Sequence, residues 1–90
     1  MDDRVLLGHL EALAHTLGVE IRYETLEGET PFRSGGLCRV REKQFIIVNK
    51  VATTAEKVQT LARALGRFDL SRIYLKPALR DLLEQLGKEK

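Results

Sequence analysis

The side chains that could do chemistry in this sequence are two imidazoles, one thiol and a set of arginines. His9 and His15 lie six residues apart on a stretch with helical periodicity. At ~100° per residue they diverge by about 120°, so they cannot share one metal ion, and zinc needs three or four converging donors. Cys38 is the single cysteine. A nucleophilic thiol needs a base or a positive helix end beside it. Arg39 is adjacent, but neighbours on a strand point to opposite faces, so Cys38 reads as a small core thiol. Arg33-Ser34-Gly35-Gly36 is the loop best suited to an anion. Two glycines let backbone N–H groups turn inward, and Arg33 and Ser34 add donors. It lacks the lysine and the spacing of a phosphate-binding loop, and a strand follows it instead of a helix. A turn that launches a hairpin is its plainer reading. Arg22, Arg39 and Arg41, with Lys43 at a turn, could line one sheet face and meet phosphates. Glu20, Glu24 and Glu42 are placed to neutralise that stripe.

The composition sets the limits around these residues. Ninety residues allow one domain, residues 1–90, with an expected frayed tail at 88–90. Fifteen Lys+Arg against thirteen Asp+Glu leave a formal charge of +2, too mild to announce a nucleic-acid or membrane partner. With 43% apolar and 31% charged residues the chain is of globular composition. No run approaches the ~18 apolar residues of a membrane span. The acidic start, Met1-Asp2-Asp3-Arg4, does not read as a signal peptide. A lone cysteine fits a reducing, cytoplasmic setting. Without tryptophan, and with 6% aromatic residues, there is little material for stacking bases.

Hydrophobic periodicity gives the elements that must position these groups. Leu6, Leu10, Leu13 and Leu17, widened by Val5 and Ala14, predict a helix over 4–17, capped by Asp2 or Asp3 and stopped at Gly18. Residues 19–24 alternate, with Val19, Ile21 and Tyr23 expected inward. The stretch 25–36 reads as a long loop. Two strands follow, 36–41 and 44–49, around a tight turn near Glu42-Lys43. Phe45-Ile46-Ile47-Val48 is apolar on both faces, which predicts the central strand. Cys38 and Val40 are expected on one face, with Leu37, Arg39 and Arg41 on the other. Thr53 and Glu56 have capping-box spacing ahead of a helix whose stripe is Val58, Leu61, Ala62 and Leu65. A short extended piece at 73–75 and a last helix from Pro77, with Leu79, Leu82, Leu83 and Leu86 inward, complete the chain. The order predicts a two-layer α+β domain, α-β-β-β-α-α, with a three-stranded, mainly antiparallel sheet packed on helices.

The run Val58-Gln59-Thr60-Leu61-Ala62-Arg63-Ala64-Leu65-Gly66-Arg67-Phe68 carries a resemblance. Taken with Leu17-Gly18-Val19-Glu20-Ile21-Arg22-Tyr23, Gly36-Leu37-Cys38 and Ile46-Ile47-Val48-Asn49, it resembles the ImmA/IrrE-type zincin-like metallopeptidases over about residues 5–70. The strongest piece is Leu61-Ala62 with Leu65-Gly66. In that family the active helix reads roughly L-A-H-E-L-G-H. Here Arg63 stands at the first zinc histidine, Ala64 at the general-base glutamate and Arg67 at the second histidine. Guanidinium offers no lone pair to a metal, and a methyl group accepts no proton. The resemblance therefore implies a scaffold without metal, cofactor or catalytic residue. On it, Arg63 and Arg67 would share one helical face able to hold a carboxylate, a phosphate or an acidic partner segment.

The function expected from the sequence is a small, non-catalytic binding or regulatory domain. The residues expected to bind are Arg63 and Arg67, with Arg33, Ser34, Gly35, Gly36, Arg39 and Arg41. The expected partner is another protein or a small anionic ligand, and a homodimer would relieve the thin stability of so small a core. The alternative is a nucleic-acid-binding α+β domain that uses an arginine-bearing sheet face. No membrane partner is expected.

Overall fold

A computed structural model describes residues 2–25 and 35–87. The element order is α1 (Asp3–Thr16), β1 (Glu20–Glu24), β2 (Gly35–Val40), β3 (Lys43–Asn49), α2 (Thr54–Leu65) and α3 (Pro77–Gly87). The α+β architecture and its order are as the periodicity predicts.

α1 starts where the Asp2 carboxylate accepts the Val5 N–H at 2.9 Å, which satisfies one of the free donors of the first turn. Gly18, at φ +75, takes the left-handed position just beyond the helix. Leu10, Leu13 and Ala14 are buried. Val5 does not widen the stripe; it is 47% exposed because it lies in the first turn, beyond the reach of the core. α2 carries a complete capping box. The Thr53 hydroxyl accepts the Glu56 N–H at 3.1 Å, and the Glu56 carboxylate accepts the Thr53 N–H at 3.0 Å. Val58, Leu61, Ala62, Ala64 and Leu65 are all buried, since α2 packs against α1, α3 and the strands β2 and β3. α3 lies against α2 through Leu79 and Leu83.

The sheet order is β1-β3-β2, with β3 central as its two apolar faces predict. The pairing is mixed where mainly antiparallel pairing was expected. β2 runs antiparallel to β3, and β1 runs parallel to it. Alternation marks a half-buried strand but carries no sign of direction; placing β1 on the far side of β3 turns that pair parallel. Ile46 and Val48 of β3 are fully buried in the core, where β3 packs against α2, and Ile21 and Leu37 pack at the same core. Val19, just before β1, is buried too, while Tyr23 at the sheet margin is 37% exposed.

One further expected feature differs. Residues 73–75 form no strand, and Tyr74 is 86% exposed. The segment is held from α3 instead, where the Arg80 guanidinium donates to the Ile73 carbonyl at 3.3 Å. The expected loop over 25–36 and the expected frayed tail fall largely in residues 26–34 and 88–90, outside the described residues.

Candidate functional site

In a ladder, residues paired across strands point to the same face. The register therefore sorts every strand residue. Ile21, Ile46 and Leu37 form a row beneath the helices. The opposite face carries two central rows: Glu20, Phe45 and Cys38, then Arg22, Ile47 and Gly36. Val40 and Lys43 lie at one end of this face, and Glu24 and Asn49 at the other. Phe45 and Ile47 stand outside the core that the helices share with Ile46 and Val48, and among the described residues no helix lies over them.

The chemistry of this open face is an apolar centre within a charged rim. The Arg22 guanidinium lies over the Phe45 ring, 4.8 Å from its centroid, and its Nε donates to Glu20 at 3.1 Å. One arginine is thus held by a carboxylate and an aromatic ring together. Both partners of the ion pair are exposed, so the contact shapes the surface more than it stabilises the fold. Cys38 is half-buried beside Phe45, with its Sγ 3.9 Å from the Gly36 carbonyl. Val40 is 53% exposed. At the hairpin end an open cleft of about 1270 Å³ has Leu17, Val40 and Phe45 among its lining, with Arg41, Glu42 and Lys43 around it. Arg41 holds a left-handed backbone at φ +58, a conformation that costs a residue with a Cβ on the order of 1–2 kcal/mol.

The residues singled out from the sequence are scattered by the fold. Gly35 and Gly36 are ladder residues opposite Val48 and Ile47, so the backbone at these two is in a strand and not in an anion-binding turn. Arg33 and Ser34 lie outside the described residues. Arg39 is opposite Gln44 on the helix side of the sheet, whereas Arg22 is on the open side; the expected single arginine face is split by the strand period. Arg41 sits in the turn and is exposed. Arg63 is half-buried in the last turn of α2 and is already engaged. Arg67 falls beyond the α2 cap at Gly66, where its N–H bonds three residues back to Ala64 at 3.4 Å. The helix stops before the expected shared face is complete. His9 is half-buried and His15 exposed on α1, and among the described residues no group of three histidine, cysteine or carboxylate side chains stands together.

Sequence reasoning missed a second polar cluster. The Tyr23 hydroxyl donates to Glu11 of α1 at 2.5 Å, and Lys57 of α2 stands 5.7 Å from the Tyr23 ring centroid. Burial, together with the hydrogen bond and the charge of Glu11, pushes the Tyr23 hydroxyl far above the ordinary tyrosine range, so it is a neutral donor. This cluster ties β1 to both helices. The alternation of 19–24 carried part of the signal, since it put Tyr23 on the helix side.

No protein-family model, curated protein or solved structure matches this chain.

Proposed function

We propose that this chain is a non-catalytic protein-binding module that docks its partner on the open face of the sheet. One observation carries the reading: β3 sends Phe45 and Ile47 away from the helices, into a surface where Cys38, Val40 and the stacked Arg22 surround them. An apolar, aromatic centre with arginine at its border and a polar rim is the anatomy of protein–protein contacts. The sequence resemblance to zincin-like domains points the same way, since it would set Arg63, Ala64 and Arg67 at the positions where that family holds its metal and base.

Cys38 is the reporter for the test, since it lies in the same row as Phe45. Thiol alkylation of Cys38 should be slower in fresh cell extract, or in millimolar purified protein, than in dilute purified protein, and Phe45→Asp should abolish the difference. Equal alkylation rates in all three settings would refute docking on this face.

A further inference from the structure

We propose that the occupant of the open face is a second copy of this chain, packed face to face about a two-fold axis that runs across the strands between the Phe45 and Ile47 rows. The inference rests on the docking reading above and names the partner.

The register supplies the argument. One row is Glu20, Phe45, Cys38 and the next is Arg22, Ile47, Gly36. A two-fold axis between the rows exchanges them, strand over like strand. Glu20 of each copy then faces Arg22 of the other, Phe45 faces Ile47, and Cys38 faces Gly36. Every position meets its complement: carboxylate on guanidinium, ring on aliphatic chain, thiol on the residue without a side chain. At the ends, Lys43 of one copy comes beside Glu24 of the other. A two-fold axis along the strands would instead lay β1 over β2, setting Glu20 on Cys38 and Arg22 on Gly36 and leaving both charges without a counter-charge. An isologous contact of this kind needs one self-complementary patch, and the two rows form one.

The footprint sets the strength. Three strands ~4.8 Å apart and about five residues long cover on the order of 250 Å² of plane. A stable interface uses about 800 Å² per partner. The dimer is therefore weak and concentration-dependent.

Sedimentation of the purified full chain from low micromolar to millimolar concentration tests it. The wild type should pass from monomer to dimer. Glu20→Arg and Arg22→Glu, each alone, place like charges at two symmetric contacts, and each should raise the dissociation constant at least about tenfold. An equimolar mixture of the two variants should recover the dimer as a heterodimer, because the arginine introduced in one copy would then meet the glutamate introduced in the other. The Glu20–Arg22 pair within one chain cannot produce that recovery. A wild type that stays monomeric throughout, or a mixture that associates no better than either variant, overturns the proposal. If such a monomer still has its Cys38 shielded in extract in a Phe45-dependent way, docking stands and only the second copy falls. If Cys38 is shielded in neither setting, both fall.

Discussion

Replacing Gly66 by alanine probes a close backbone approach between α2 and α3. Gly66 ends α2 and Gly87 ends α3, and the two meet with no side chain between them. A Cβ on Gly66 would lie 2.5 Å from the Leu83 carbonyl oxygen and 2.7 Å from the Gly87 Cα. Both are backbone atoms, so α3 must move away by roughly 1 Å to reach the ~3.5–4 Å spacing of ordinary contacts. Overpacking of this kind costs about 1–3 kcal/mol. Gly66 has φ −64, so alanine suits its conformation and gains back about 0.4–1 kcal/mol from the unfolded chain. The expected net is a loss of about 1–2 kcal/mol. Gly8 is the control. It lies inside α1 with nothing within 4 Å of its Cβ position, so Gly8→Ala should stabilise by about 0.5–1 kcal/mol. Urea unfolding followed by far-UV circular dichroism measures both. The two variants should shift the midpoint in opposite directions at unchanged slope. If Gly66→Ala is as stabilising as Gly8→Ala, the close approach of α2 and α3 is wrong.

Other outcomes follow from single contacts. Tyr23→Phe should cost about 0.5–1 kcal/mol in the same unfolding assay, since it leaves Glu11 without its donor on an exposed surface. The folded-state pKa of Tyr23 lies above its unfolded value, so the stability from that bond is complete below about pH 10 and lost as pH rises through the folded value. Tyr23→Phe should accordingly flatten the alkaline limb of the wild-type curve, and an unchanged limb would count against the contact. Thr53→Ala should cost about 1 kcal/mol through the lost cap of α2. The Thr53 backbone N–H, and then its hydroxyl, hold the Glu56 carboxyl below its usual range, so its contribution is present above the unfolded pKa and fades as pH falls through the lower, folded one. Glu56→Gln should remove that acid dependence, which a pH series of melting temperatures would show. Arg41→Gly should raise stability by about 0.5–1 kcal/mol by relieving the left-handed backbone at the turn, and any loss would mean that the Arg41 side chain stabilises the turn.

The order of elements was legible because each carries its own local mark. Examples are Asp2 and Gly18 around α1, the Thr53 and Glu56 box ahead of α2, and Pro77 at the start of α3. The centrality of β3 was legible too, in Phe45-Ile46-Ile47-Val48, since apolar residues on both faces favour a strand inside the sheet over one at its edge. Strand direction was not, because a period of two is the same read either way. That gap hid the site. Arg22 and Phe45 come together only once β1 is known to run parallel to β3 in the observed register, and Arg39 leaves the arginine face because Leu37, and not the expected core thiol Cys38, turns toward the helices. Arg63 and Arg67 look like an i, i+4 pair in sequence, but the helix ends between them at Gly66, whose contact with Gly87 is a tertiary event without a local signature.

The topology also has a kinetic consequence. β2 and β3 are joined by a two-residue reversal, whereas β1 reaches β3 only across all of β2 and the segment before it. Local pairing closes a short loop and long-range pairing a costlier one, so the hairpin with α2 should nucleate first, and β1, with α1 behind it, should dock late. Stabilising changes in α1 would then lengthen the lifetime of the native state and leave the speed of its formation almost untouched. A stopped-flow chevron in which Gly8→Ala accelerates refolding more than it slows unfolding would contradict that order.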